Sequence, residues 1–326
     1  MRGVALGPGT EFDRLRTIFS RLKEQRAAFA FGDDCALVRI GGTTLAASID
    51  LSVEGVHFRT EWLSFQEIGW RATAAALSDL ASEGAKPIGA LVSLGLPAGG
   101  GKREAGNVDA GAEIMAGVGG AVRSVGAKVL GGDLVRSERY LVDVCVLGTA
   151  SHPVRRTGAR RGDGVWITGT VGGAGLALAQ LQAGAGRGVG ANRALWRRFA
   201  RPESRIAAGR WLARRGAHAM IDVSDGLAAD AGHVAAASRM AIWIELERVP
   251  CWPGVAPRDA AASGEEYELL VALPARFGER DARAFARVTG VPLTRIGRCE
   301  RGEGVHLTEH GQSVTAPPGF DHFAAP

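Results

Sequence analysis

Apolar residues in this chain fall into short runs of two kinds, separated by polar and glycine-rich breaks. The segment Thr43 to Asp50, "TTLAASID", reads as a strand that ends on an aspartate. Ser64 and Glu67 stand at capping-box spacing ahead of a helical pattern that stops at Gly84 before Pro87, so a helix is predicted with both ends marked. "IGALVSLGLP", Ile88 to Pro97, follows as a strand apolar enough to need cover on both faces. Asn107 to Val125 is predicted as a second helix, closed by Gly126. "AKVLGGD" and "YLVDVCVLGTA" are predicted as two further strands.

Around Ser151 to Gly162 the chain turns polar and rich in arginine ("SHPVRRTGARRGD"), and the pattern then restarts. The strand "GVWITG" leads to a helix after Gly173. A glycine-rich stretch, Ala183 to Asn192, reads as a flexible insertion rather than a phosphate cradle. A helix over Pro202 to Arg215, the strand "AMID", a helix from Gly226 to Ser238, the strand "AIWIEL", the segment "SGEEYELLVALP" and a last helix–strand pair complete the series. Strands alternating with helices predict an α/β protein of layered sheets and helices. The break divides it into residues 1–150 and 151–326. "SIDLS" at Ser48 and "MIDVS" at Met220 echo each other, as two similar strand ends facing one site would.

Composition narrows the partners. The net charge is +5 and the pI about 9.4, but only Lys23, Lys86, Lys102 and Lys128 are lysines, and no basic run is interleaved with aromatics. Arginine in place of lysine, beside abundant alanine and glycine, looks like GC-rich codon usage and gives no sign of nucleic acid. Cys35, Cys145, Cys251 and Cys299 lie far apart without a CxxC pair, which fits reduced thiols in the cytoplasm. No apolar stretch has the length of a membrane span, and the N-terminus has no apolar core of signal-peptide length.

What remains unusual is the placing of aspartates at the ends of apolar elements: Asp33, Asp34, Asp50, Asp133, Asp222 and Asp225, with Asp79 inside an apolar helix. Taken singly, each has an ordinary reading as a cap, turn or solvated residue, and Asp225 in particular could cap the helix after Gly226. Asp79 fits that reading worst, because Ala76, Leu77, Leu80 and Ala81 flank it. Carboxylates gathered together repel and shift one another unless cations join them, and oxygen-only ligands select a hard ion such as Mg²⁺. Mg²⁺ binds through a few carboxylates plus substrate phosphates, so phosphoryl transfer is the implied chemistry. The Walker motif and the HRD and DFG set of protein kinases are absent, and no Ser–His–Asp arrangement stands out.

In order, "FGDDCAL", "SIDLSVEGVHF", "ALSDLASEGAKP", "LGGDLVRS", "RTGARRGD", "MIDVSDGL", "SGEEYELL" and "GFDHF" resemble the successive motifs of the thiamine-monophosphate kinase family, a branch of the aminoimidazole-ribonucleotide synthetase superfamily. The resemblance runs from Glu11 to Phe323. It implies a two-domain α/β protein, paired as a homodimer through the N-terminal domain, with ATP and several Mg²⁺ ions in the cleft. It implies Asp33, Asp34, Ser48, Asp50, Asp79, Asp133, Asp222 and Asp225 as metal ligands. Gly132, Asp133, Arg156 and Ser224 match nucleotide contacts. His57, Glu265 and Phe320 match positions that hold thiamine monophosphate. Three positions depart from the family pattern: Ile49 replaces a hydroxyl residue, Glu266 replaces an aspartate, and Pro317–Pro318 precede Gly319.

The implied acceptor is a phosphate monoester, already mostly dianionic at neutral pH because its second pKa is about 6. It needs no general base, and the obstacle to transfer is repulsion between anions. Two other readings stay open at this point: another ATP-using enzyme of the superfamily, or a paralogue that binds nucleotide without turning it over.

Overall fold

In the computed structural model the described residues are 5–21, 32–98, 109–186, 192–320 and 322–323. Helix α1 (Thr10–Arg21) precedes the strands β1 (Ala36–Ile40) and β2 (Thr43–Val53). Next come α2 (Phe65–Ser82), β3 (Lys86–Pro97), α3 (Ala110–Ser124), β4 (Lys128–Ser137) and β5 (Leu141–Ala150). These strands form one five-stranded sheet in the order β1-β2-β5-β3-β4, antiparallel except for the β3–β4 pair.

Helix α2 forms where the capping residues predict it. The Ser64 hydroxyl accepts from Glu67 N, and the Glu67 carboxylate accepts from Ser64 N at 2.9 Å. The start predicted for α3 at Asn107 lies outside the described residues, which show Asp109 as its N-cap. Helices α2 and α3 cross at backbone contact distance: a Cβ at Gly69 would sit 2.0 Å from the Ile114 oxygen, and one at Gly117 would sit 1.9 Å from the Gln66 oxygen. Together they cover one face of the sheet, where Val92, Leu94, Val142, Val144 and Val146 meet Leu77, Leu80, Ile114 and Val118.

Among the described residues nothing covers the opposite face. β3 alternates buried and exposed positions, so it needs cover on one face within this chain and not on two as its composition suggested. Val38, Ile40, Leu51, Ile88, Leu91, Leu134 and Val135 are exposed there and along the edge strand β4.

The second sheet has seven strands: β6 (Gly164–Thr168), β7 (Ala219–Asp222), β8 (Ala241–Glu245), β9 (Leu269–Leu273), β10 (Leu293–Glu300), β11 (Val305–Glu309) and β12 (Gln312–Val314). Their order is β12-β11-β8-β10-β6-β9-β7. One face carries α7 (Leu227–Ser238) and α8 (Pro257–Ala262) over a core of Ile221, Leu227, Ile242, Ile244 and Leu270. The other carries α6 (Ile206–Arg214) and α9 (Glu279–Thr289), and there Trp166, Leu212 and Phe285 join the same core as the first sheet. The join is close, because a Cβ at Gly209 would lie 1.8 Å from the Ala81 oxygen of α2.

Helices α4 (Gly173–Gln182) and α5 (Arg193–Ala200) complete the fold. α5 falls where sequence patterning showed no helix, and the helix expected from Pro202 begins at Ile206 instead. Residues 187–191 of the glycine-rich stretch lie outside the described residues. No described helix is long and apolar enough to cross a membrane.

Candidate active site

The middle of β2, the C-terminal turn of α2 and the end of β7 border a cavity of about 840 Å³ between the two sheets. β2 continues to Val53, beyond the strand end expected at Asp50. On β2 the side chains alternate, so Ser48 and Asp50 turn to the covered face while Ile49 is 67% exposed on the bare one. The side chain of Ile49 therefore cannot serve a site on the covered face. Asp79 sits one turn before the end of α2, and the Ser48 hydroxyl donates to its Oδ2. Carboxylate oxygens of Asp34, Asp79 and Asp222 all lie within 4.8 Å of one another.

The electrostatics of this group are those of like charges held together with little water. Burial, then Asp34, pushes the Asp222 carboxyl up to about 7. Burial, then Asp222, Asp34 and Asp50, raises Asp79 well above the carboxylate range. Burial, then Glu265 and Asp143, raises Asp50 to about 6. Asp34 also keeps one buried oxygen, Oδ2, without a hydrogen-bond partner among the described residues. An unpaired buried carboxylate oxygen beside two other carboxylates, with no His or Cys in the group, fits a hard divalent cation.

Adjacent aspartates take different roles. Asp33 accepts from Arg155 Nε at 2.9 Å and from the backbone N–H of Arg156 at 2.8 Å, so its side chain is tied into the fold. Asp34 faces the cluster, and Arg156 donates Nε at 2.8 Å and Nη2 to its Oδ1. The cationic side chain expected to meet nucleotide phosphates is thus held by a carboxylate of the same site.

The turn after β7 differs from the expected cap. The N-cap position of α7 is Gly226 and not Asp225. Asp230, in the first turn, accepts at Oδ2 from the N–H groups of Ser224, Asp225 and Gly226, at 3.0, 3.2 and 3.2 Å. One buried carboxylate therefore shapes the turn that carries Ser224 and Asp225. The same turn pairs with the segment before β9: Glu265 N donates to Ser224 O at 2.7 Å and Tyr267 N to Val223 O at 2.8 Å. Phe320 N donates to Asp225 O at 3.0 Å, which docks the tail at the cavity mouth.

His57, Asp50 and Glu265 line one smaller recess together with Arg71 and Tyr267. Glu265 has φ +57° and Tyr267 φ +52°, a left-handed conformation on both sides of Glu266. Arg71, buried on α2, pairs with Glu265, donates to Phe199 O and stacks over the Phe199 ring at 4.1 Å. Arg71 escaped sequence reasoning because a single arginine on an apolar helix carries no motif. The His57 ring lies 4.9 Å from that of His322. Phe320 is 58% exposed at the rim.

Glu266 points away from the cavity. Its Oε1 accepts from Gly172 N at 2.7 Å, Ala174 N at 3.0 Å and the Ser263 hydroxyl at 2.6 Å, and its Oε2 from Arg198. The longer side chain thus anchors the N-terminus of α4.

Gly132 and Asp133 are not brought to this cluster. They lie on β4, separated from β2 by β3 and β5, about 14 Å at ordinary strand spacing. Asp133 is exposed and pairs across to Ser93, which in turn faces Asp143. Gly132 has a plain structural need, since a Cβ there would meet the Val92 oxygen at 1.8 Å.

Comparison with known proteins gives matches over nearly the whole chain. The AIR synthase related protein N-terminal domain matches residues 32–150, and its C-terminal domain matches residues 160–309. The thiamine-monophosphate kinase of Rhodopirellula baltica is 33% identical, covering 91% of this chain and 92% of its own. That of Aquifex aeolicus is 32% identical, with 93% and 95% covered. The solved structure of AaThiL complexed with AMPPCP and TMP superposes with a TM-score of 0.82 at 31% identity, covering 97% of each chain.

Proposed function

The chain belongs to the thiamine-monophosphate kinases of the AIR synthase related family, enzymes that pass a phosphoryl group from ATP to thiamine monophosphate, and we propose how its own residues do so. The observation that carries the reading is the Asp34–Asp79–Asp222 cluster, oxygen-only and partly unpaired, at the base of a cavity that both sheets build. Residues 1–150 carry Asp34, Ser48, Asp50 and Asp79 and the dimer surface, and residues 151–326 complete the nucleotide and metal site with Arg156, Asp222, Ser224 and Asp225.

Asp34, Asp79 and Asp222 would hold Mg²⁺, with Ser48, Asp50 and Asp225 beside them, while Asp33 acts through its anchoring of Arg155 and Arg156. Bound magnesium ions neutralise charge on the transferred group and offset the repulsion between two phosphates. Ser224 and Arg156 meet the nucleotide, and a phosphate that takes the Arg156 guanidinium frees Oδ1 of Asp34. His57, Glu265 and Phe320 hold the acceptor. The acceptor's phosphate oxygen attacks the γ-phosphorus in line, the bond to the β–γ bridging oxygen breaks, and the products are thiamine diphosphate and ADP. No protein base takes part, because the attacking oxygen is already ionised.

Gly132 and Asp133 stand too far from this cluster to serve it within one chain. We assign them to the cleft of a second copy, in a homodimer joined over the bare sheet face. The cytoplasm, where its four thiols stay reduced, is the proposed location. A coupled ADP-release assay compares thiamine monophosphate, thiamine and aminoimidazole precursors: turnover on the first alone is expected, and turnover on an aminoimidazole precursor instead would overturn the assignment.

A further inference from the structure

Behind the acceptor recess lies a second cavity, of about 510 Å³, that the proposed reaction does not use. We propose that it binds a phosphate-bearing anion. Arg197, Arg198, Arg201 and Arg205 line it, contributed by α5 and the link into α6. Two of the four form its floor. Arg198 donates to Glu268 at 2.9 Å, and Arg205 donates through Nε and Nη2 to the same buried carboxylate at 2.7 and 2.6 Å. Burial alone would raise the Glu268 carboxyl; Arg198 and Arg205 together bring it below its ordinary value, so the floor is an ionised, satisfied network.

The rim is different. Glu203 spans two guanidinium groups, with Oε1 2.5 Å from Arg197 Nη2 and Oε2 3.6 Å from Arg205 Nη1. Its side chain is 54% exposed and that of Arg197 71%, so these contacts are screened and weak. Arg201 lies over the Trp70 ring at 5.8 Å and pairs with no carboxylate among the described residues. Four arginines therefore face the carboxylates of Glu203, Glu266 and Glu268, and swinging Glu203 out to solvent leaves a surplus of two positive charges. Glu203 occupies the place an external anion would take. A phosphate offers more acceptor oxygens and more charge to Arg197, Arg201 and the open edge of Arg205 than one carboxylate can.

The cavity shares a wall with the acceptor recess. Along one segment, Glu265 and Tyr267 line the recess, while Glu268 lines the second cavity and Glu266 binds Arg198 in its floor. Along α5, Arg198 faces the second cavity and Phe199 the cleft.

Calorimetric titration of the full-length protein with inorganic phosphate and with inorganic diphosphate tests the site. No divalent cation is added, so that the carboxylates of the cleft repel the probe. Saturable binding of one anion per chain is expected. Glu203→Gln, which removes the competing charge, should tighten it about threefold, in keeping with a weak exposed pair. Arg197→Ala with Arg201→Ala should weaken it about tenfold or more, and both variants should melt with the wild type, since these side chains are exposed. Three results would each overturn the proposal: no saturable binding by the wild type at millimolar anion, unchanged binding in the double variant, or Glu203→Gln binding no tighter than the wild type.

Discussion

The backbone N–H of Val53 donates to Nδ1 of His57 at 3.0 Å, so the neutral ring carries its proton on Nε2. Burial, then His322, lowers the His57 pKa from its usual 6.5, which keeps the ring neutral above that pH. In this tautomer the free nitrogen is a donor, suited to a phosphate oxygen and unable to accept a proton. His57→Ala should therefore raise the acceptor KM about tenfold and leave kcat within a factor of about three. The rate should climb as the acceptor phosphate loses its second proton near pH 6 and stay level to pH 8. A kcat that collapses in the variant, with a wild-type profile tracking a histidine, would make His57 the base.

Asp222 tests the cluster. Asp222→Asn should bring turnover to background at saturating Mg²⁺ while the metal-free protein melts at the wild-type temperature or slightly above, because a buried charge among like charges is gone. Near-normal turnover would remove Asp222 from the ligand set. The wild type should also show a pH signature. Folded Asp222 at about 7 and Asp50 at about 6 stand above the ordinary 3.8, so their contribution is fully present below about pH 4 and is lost as pH rises through 6 to 7. Scanning calorimetry without metal should give a lower Tm at pH 8 than at pH 5, and added Mg²⁺ should narrow the gap. A metal-free Tm that rises with pH would contradict the repulsion.

Glu266 joins the N-terminus of α4 to Arg198 in a buried position. Truncating one partner of a buried ion pair leaves the other uncompensated, which costs about 3–5 kcal/mol. Glu266→Ala should lose stability on that scale in urea unfolding. Glu266→Asp should lose less but still fall below wild type, as the shorter carboxylate cannot reach both α4 N–H groups and Arg198. A wild-type midpoint for Glu266→Asp would show that the extra methylene is idle.

The bare sheet face makes assembly a direct test. Val135 is 56% exposed on the bare face of the edge strand β4, where no described residue covers it. Light scattering should give a dimer for the wild type at micromolar concentration. Val135→Asp should shift it to a monomer that keeps its secondary structure but loses turnover, since Asp133, on the same face, would no longer meet a second cleft. A fully active monomer would refute both the dimer and the role of Asp133.

Local physics made parts of this protein legible in its sequence. The capping box of Ser64 and Glu67 and the stop at Gly84 predict α2 closely, because caps act within one turn. The strand end on Asp222 was visible because a carboxylate interrupts an apolar run, whereas β2 runs on past Asp50 to Val53, since its pairing with β5 continues there. Helix α5 was missed: eight residues with only Leu195, Phe199 and Ala200 buried leave too short a periodic signal, and tertiary packing supplies the rest. The composition of β3 suggested two buried faces, but which faces are covered depends on where α2 and α3 pack.

The residue types of the site and their order along the chain are set by sequence, as is the suitability of clustered carboxylates for the proposed hard cation, since those are properties of side chains and local backbone. Which of them meet was a matter for the tertiary structure. It sends Asp33 to Arg155 and Asp34 to the cluster, though they are neighbours, because the bend before β1 aims the two side chains at different partners. It turns Glu266 to α4 and Glu265 to the recess, where left-handed conformations at Glu265 and Tyr267 redirect the chain. It leaves Asp133 on an outer strand, since strand order in a sheet is set by long-range pairing that no short motif encodes.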